Sequence, residues 1–166
     1  TGLGSSEGEF ANTNFTSSTD DVLAAVDWLR SEHRAPQLLI GHSLGGAAVL
    51  AIAGEIPEVR AVATIGAPSD AAHVTGIFQS SVEEIGASGH ADVQLAGRPF
   101  TIRKQFLDDL QNHVVVERVA TSKKALLVLH SPVDNTVGID NAGEIFDAAK
   151  HPKSYVSLDG ADHLLT

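Results

Sequence analysis

Leu38-Leu39-Ile40-Gly41-His42-Ser43-Leu44-Gly45-Gly46-Ala47-Ala48-Val49-Leu50-Ala51-Ile52-Ala53 decides the fold of this chain. A short apolar run meets a glycine-rich corner and continues into small and apolar residues, which reads as strand, tight turn, helix. The corner holds the pattern G-x-S-x-G. A serine at such a corner projects its Oγ above the sheet. Side chains two residues before and after it are expected to collide, so both flanking positions, Gly41 and Gly45, are glycine. Gly46 and Ala47 let the helix lie close to the strand. The backbone N–H of Leu44 falls at the helix N-terminus, where negative charge is stabilised. His42 is expected to support the turn. The alternative is a glycine-rich turn with no chemistry.

Working outward, residues 1–17 are rich in Gly, Ser, Thr and Asn and read as a surface loop with Phe10 and Phe15 as its aromatic anchors. A helix is expected from Thr19 or Asp20 as N-cap to about His33, with Val22, Leu23, Val26 and Leu29 on one face. Pro36 stops it. The first strand then runs over Gln37–His42, and the helix after the corner over about Leu44–Glu55. Arg60 to Ile65, ending in Gly66-Ala67-Pro68, is a second apolar strand. Near-continuous apolar strands joined by a helix predict a parallel sheet with covered faces. Residues 69–121 break the alternation and read as a cap-like insertion. Within it, Asp92–Leu95 and Pro99–Arg103 flank Ala96-Gly97-Arg98 as a hairpin, and Phe106, Leu107 and Leu110 mark a helix. Such an insertion is expected over the C-terminal strand ends, where ligands bind in open α/β sheets. Lys124–His130 is the third strand, Asp140–Lys150 a helix with Asp140 as its cap, and Ser154–Leu158 the fourth strand. With no repeats and no linker, residues 1–166 read as one domain.

The 166 residues suffice for one domain with a sizeable core. There is no Met, so the chain is expected to be the later part of a longer polypeptide. Eleven Lys and Arg against 21 Asp and Glu give a net charge of −10, which argues against nucleic acid or an anionic membrane as partner. No apolar run approaches the ~18 residues that span a bilayer. Zero Cys excludes disulfides and Cys-ligated metals and is compatible with a cytoplasmic location. No H-E-x-x-H or similar spacing suggests a metal site.

A serine hydroxyl needs an adjacent general base to act as a nucleophile, usually a His held in one tautomer by a carboxylate. Both are expected at the C-terminal ends of later strands. Loop 131–138 supplies Asp134, and loop 159–163 supplies His163. The chain order is therefore Ser43, Asp134, His163. Of the eight His residues, His33 ends a helix. His73, His90, His113 and His151 read as surface residues, and His130 as locally bonded at a strand end. His42 is poorly placed to reach the Ser43 Oγ. Asp159 and Asp162 flank His163, Asp162 with its side chain turned into its own loop. Asp70, just after the second strand, is the second candidate for the acid.

Four blocks resemble α/β-hydrolase domains of the bacterial esterase and acyl-peptidase kind. They are Thr1–Gly8, Gly41–Gly46, His130–Val137 and Asp159–Leu165. The resemblance is to the hydrolase domain found fused to an OsmC-like domain, and Ile65–Ser69 and Ala96–Phe100 also fit that group. It implies an α/β-hydrolase fold, a mostly parallel sheet of eight strands flanked by helices, with the first strands absent from this chain. The loop that donates a second oxyanion-hole N–H would then lie upstream. The resemblance implies a serine hydrolase of carboxylic esters with Ser43, Asp134 and His163 catalytic, Leu44 in the oxyanion hole, and Gly41, His42 and Gly45 supporting the elbow. Its partner is a small ester or acyl substrate, and no cofactor is needed. Thioesterase or peptidase-type acyl transfer uses the same residues. A non-catalytic partner or regulatory module of a larger protein is the reading from another class. The exposed edge of the Ser43 strand is expected to meet either another copy of the chain or a companion segment.

Overall fold

The computed structural model describes residues 1–95 and 98–166. The described residues form six strands and six α-helices. They are α1 (Phe15–Glu32), β1 (Leu38–His42), α2 (Leu44–Ile52), β2 (Ala61–Ile65), α3 (Gln79–Ser88), β3 (His90–Leu95), β4 (Arg98–Arg103), α4 (Lys104–Leu110), α5 (Val115–Ser122), β5 (Ala125–His130), α6 (Asp140–Ala148) and β6 (Lys153–Ser157). Strands β1, β2, β5 and β6 form one parallel sheet in that order. Strands β3 and β4 form a separate antiparallel hairpin. Its tip residues Ala96 and Gly97, part of the expected turn, lie outside the described residues.

The first helix starts earlier than its acidic residues suggest. Its N-cap is Asn14, whose side chain accepts from the Ser17 N–H while the Ser17 hydroxyl accepts from the Asn14 N–H. This reciprocal pair satisfies two end groups of the helix. It displaces Thr19 and Asp20 from the cap and brings Phe15, fully buried, into the first turn. The expected loop over residues 1–17 therefore ends at Asn14 and itself contains a 3₁₀ turn over Phe10–Asn12. Asp140 does not cap α6 either. The N-cap is Ile139, which makes no side-chain capping bond.

Sheet register and burial explain the layering. Partners Leu39↔Val62 and Val62↔Leu126 are all buried on one face, with Val128 beside them. Helices α2 and α5 pack there, and α6 packs against α5 and β5. The alternate residues face the other way. Leu38 and Ile40 are 51% and 62% exposed. The apolar runs predicted a sheet covered on both faces. Among the described residues helices cover one face; β1 and β5 follow the two-residue period of a half-buried sheet, while β2, between them, is buried at Val62, Ala63 and Thr64 in a row. Strand β1 lies at one edge.

The stretch between β2 and β5 divides by its packing. A 3₁₀ run over Ala71–Phe78 leads into α3, and the hairpin packs against α3 and the 3₁₀ turn near Phe10, where the Phe10 and Phe100 rings lie 4.9 Å apart. Helix α4 contacts α1, while α5 returns to the sheet layer against α2 and α6. Ile85, Ile102, Leu110 and Val115 join Phe15 and Ile145 in one continuous core. Among the described residues no helix is long and apolar enough to cross a membrane.

Candidate functional site

The corner at Ser43 is built by backbone geometry. Ser43 has φ +53° and ψ −130°, a conformation a side-chain-bearing residue adopts only when its surroundings enforce it. The Ser43 N–H donates to the Ile65 carbonyl at 2.9 Å, extending the β1–β2 ladder by one bond before the chain turns. The Ser43 carbonyl accepts from the Gly46 N–H at 2.8 Å and starts α2. A Cβ at Gly41 would lie 2.4 Å from the Gly45 carbonyl oxygen and 2.6 Å from the Gly46 Cα, so only glycine fits there. At Gly46 a Cβ would lie 2.6 Å from the Ala67 Cβ, which keeps α2 against the end of β2. Gly45 is different. Nothing lies within 4 Å of its Cβ position. The expectation that both glycines flanking Ser43 avoid a collision holds for Gly41 and not for Gly45. The crowding falls one residue later, at Gly46.

The structure brings Ser43, His163 and Asp134 together. The His163 Nε2 lies 2.9 Å from the Ser43 Oγ, and its Nδ1 lies 2.7 Å from the Asp134 Oδ2. A carboxylate only accepts, so the Nδ1 carries the proton and the Nε2 presents its lone pair to the serine hydroxyl. Asp134 is buried, Ser43 and His163 half-buried. Leu44 is the first residue of α2, and its N–H has no partner within the helix.

Asp134 is held ionised in that position. Burial opposes its charge. The hydrogen bond to His163 and those from the Val137 and Thr136 N–H groups outweigh it, and its carboxyl sits below the ordinary carboxylate range. The Val137 and Thr136 bonds both go to Oδ1, at 2.9 and 2.8 Å, which leaves Oδ2 for the imidazole. His130 fixes the same loop from beneath. Its Nε2–H donates to the Val137 carbonyl at 2.8 Å, and its Nδ1 is buried without a partner among the described residues.

The other acidic candidates are used locally. Asp70 accepts from the Ala72 N–H and caps the 3₁₀ run after β2. Asp159 accepts from the Ser157 hydroxyl. Asp162 turns into its own loop and accepts from the Leu164 and Thr166 N–H groups at 3.0 and 2.9 Å. Of the remaining His residues, His113 departs from the surface reading. It is half-buried, its ring is 4.7 Å from that of Phe15, and its Nε2 is 2.9 Å from the Thr16 hydroxyl.

Two residues act in ways that the sequence does not signal. Gly66, at the end of β2, has φ +55°, and a Cβ there would lie 3.3 Å from both the Asp134 Oδ2 and the His163 Nδ1. Its missing side chain makes room for the imidazole–carboxylate pair. His42 reaches the backbone of His163, with its Nε2 2.7 Å from the His163 carbonyl oxygen. Two surface cavities lie elsewhere. One of about 170 Å³ lies between α1, α2 and α5, and one of about 630 Å³ lies beside α6 and Tyr155.

The chain is similar to proteins of known structure. The esterase domain of a Rhodothermus marinus protein is 52% identical, with a TM-score of 0.76 over 95% of this chain and 65% of that chain. Est1E from Butyrivibrio proteoclasticus, solved with ferulic acid bound, is 19% identical, with a TM-score of 0.74 over 99% of this chain and 66% of that one. The monoacylglycerol lipase of Paleococcus ferrophilus is 17% identical, with a TM-score of 0.76 over 98% and 72%. The last two show the fold alone. The chain spans about two thirds of the length of each of the first two. No curated protein matches it. The family model described as alpha/beta hydrolase fold matches residues 2–114, more than half of the chain. With its parallel sheet and strand–corner–helix at Ser43, the chain belongs to the α/β-hydrolase fold family.

Proposed function

We propose that this chain is a serine hydrolase that cleaves carboxylic esters through an acyl-enzyme on Ser43. The observation that carries the reading is the unbroken relay from the Ser43 Oγ through His163 to Asp134, at 2.9 and 2.7 Å. The 52% identical relative described as an esterase domain supports the choice of ester as substrate.

The steps follow from the geometry. As the Ser43 Oγ bonds to the ester carbonyl carbon, its proton passes to the His163 Nε2. The imidazolium that forms faces the Asp134 carboxylate, which holds its tautomer and offsets its charge. The carbonyl oxygen becomes an oxyanion, and the Leu44 N–H at the start of α2 donates to it. Collapse of the tetrahedral intermediate breaks the bond to the leaving alkoxide, which takes the proton from His163. Water then attacks the acyl carbonyl and gives His163 a proton. The acid departs, and Ser43 recovers its hydrogen. In the same reading, the uncovered edge of β1 and its face with Leu38 and Ile40 are where a companion segment or a second copy completes the sheet.

The test is hydrolysis of p-nitrophenyl acetate by the purified chain. A saturable rate well above buffer is expected. A rate equal to that of buffer, or of the Ser43→Ala variant, would leave a hydrolase-like domain without this chemistry.

Gly66→Ala probes the same relay from the side. A Cβ at 3.3 Å from both partners requires Asp134 and His163 to shift by a few tenths of an ångström. We expect kcat to fall about 10- to 100-fold, the penalty of misplacing a reacting group by a fraction of an ångström to one ångström. Urea unfolding is expected to show a further loss of ~1–2 kcal/mol from forcing alanine to positive φ. Unchanged kcat in this variant would mean the relay tolerates the side chain.

A further inference from the structure

The loop that delivers His163 has little core to rest on. After β6, Asp159, Gly160, Asp162, Leu164, Leu165 and Thr166 are exposed, and Leu158, Ala161 and His163 only half-buried. Its internal bonds give it shape. The Ala161 N–H donates to the Leu158 carbonyl, and Asp162 gathers the N–H groups of Leu164 and Thr166. None of these fixes where the loop stands relative to β1 and α2. Three polar contacts do. Two are made by the His163 ring, to Ser43 and Asp134. The third is a hydrogen bond from the elbow to the loop's backbone, from the His42 Nε2 to the His163 carbonyl at 2.7 Å, whereas the Leu158 N–H bond to the His130 carbonyl ties only the start of the loop to β5.

The three are not equivalent. On the proposed function, the ring contact to Ser43 is broken and remade in every turnover, as the serine proton moves to Nε2 and Oγ becomes acylated. A base held only by its reacting bonds would be free to drift when they change. The His42 bond is untouched by that chemistry. A carbonyl accepts, so the His42 Nε2 carries the hydrogen, and the bond persists whatever the protonation of His163. His42 is also the residue directly before Ser43. One peptide unit therefore separates the group that aims the nucleophile from the group that holds the base. The two imidazole rings stand 5.0 Å apart and tilted by 39°, so His42 also walls one side of the His163 ring.

We propose that His42 is a positioning residue for the general base. It latches the backbone of His163 to the Ser43 corner, so that the His163 Nε2 stays in reach of the Ser43 Oγ through the catalytic cycle. This inference rests on the proposed function of the same site, and it goes beyond the support of the turn expected of His42, because the bond runs to the base and not to the turn.

Two variants separate the hydrogen bond from the ring. His42→Gln keeps an N–H donor at about the position of Nε2 and loses the ring. His42→Phe keeps a flat ring and loses the donor. We expect His42→Phe to lower kcat about 10- to 100-fold on a p-nitrophenyl ester with KM changed less than about 3-fold, because the bond serves position and not substrate binding. His42→Gln is expected to stay within about 3-fold of wild type. Wild-type kcat in His42→Phe, or equal losses in both variants, would overturn the latch. A readout without turnover keeps this apart from the function itself. The His163 Nδ1 proton, bonded to Asp134, is expected to give a downfield resonance in the proton NMR spectrum of the wild type. It should persist in His42→Gln and broaden or vanish in His42→Phe. If the wild type hydrolyses no ester while this pattern appears, the latch stands and the ester reading fails. If the resonance is unchanged in His42→Phe, the latch fails whatever the activity.

Discussion

Ser43→Ala is expected to lower kcat for p-nitrophenyl acetate by about 10⁵- to 10⁶-fold, toward the rate that a binding surface and an oxyanion donor supply without a nucleophile. The magnitude follows from what is removed. The reaction divides one difficult displacement into two easier ones only if Oγ can become acylated. Alanine also keeps the corner. Ser43 already holds φ +53°, and its N–H and carbonyl bonds to Ile65 and Gly46 are backbone bonds that the substitution leaves in place. The variant should therefore fold, and its circular dichroism should match the wild type. Because p-nitrophenyl acetate is activated, other nucleophiles of the chain set a floor. The comparison is best made on initial rates after subtraction of buffer. A variant that retains a tenth of the wild-type rate or more would remove Ser43 from the chemistry.

Asp134→Asn is expected to cost about 10⁴-fold in kcat with the fold intact, and its physics differs from that of the serine. Asparagine is nearly isosteric with aspartate. Its carbonyl can still accept from Thr136 and Val137, at the positions where Oδ1 now accepts at 2.8 and 2.9 Å. The amide nitrogen then takes the place of Oδ2, 2.7 Å from the His163 Nδ1. It is a donor, so the imidazole must turn its Nδ1 lone pair toward it and put its proton on Nε2. The base then faces the Ser43 hydroxyl with an N–H and cannot take its proton. The positive charge that forms on His163 also loses its counter-ion. Measured kcat at pH 8 would show this, and Asp70→Asn serves as control. Asp70 caps the 3₁₀ run after β2 and is expected to leave kcat within a few-fold. Full activity in Asp134→Asn with loss in Asp70→Asn would move the acid to the second strand.

How much of this was legible from residues alone depends on what each feature rests on. The corner at Ser43 was legible because chemistry and backbone demand the same thing there. The corner needs Gly41 for space, and the sequence has no other strand–turn–helix with a serine at its apex. The meeting of Asp134 and His163 with Ser43 was legible because each of the two lies in a short loop after a strand, at His130 and near Leu158. The layering of the sheet was not. Leu38-Leu39-Ile40 reads as a run buried on both sides, yet only Leu39 is buried and its neighbours face outward. Periodicity cannot show which face of an apolar strand is covered. Helix α5 was missed for a related reason. Val114-Val115-Val116 favours a strand by propensity, and Val115 and Val119 take helical positions because α2 and α6 offer them a buried surface. Helix α1 starts before the two acidic residues at 20 and 21, although these suit a first turn. The reciprocal Asn14–Ser17 pair satisfied the helix end six residues earlier. Gly66 and His42 matter through distance in space alone. The His163 ring that approaches Gly66 and the carbonyl that binds His42 come from the far end of the chain.

In the proposed function Ser43 is an activated nucleophile. Reaction with a fluorophosphonate tests it most directly, because the reagent phosphonylates a serine whose hydroxyl proton can be withdrawn and needs no knowledge of the natural ester. The mass of the intact chain is expected to rise by one phosphonyl group, mapped by peptide sequencing to Ser43. Labelling should be absent in Ser43→Ala and strongly slowed in Asp134→Asn. An unmodified wild-type chain, or an adduct that forms as fast in Asp134→Asn as in wild type, would contradict the account.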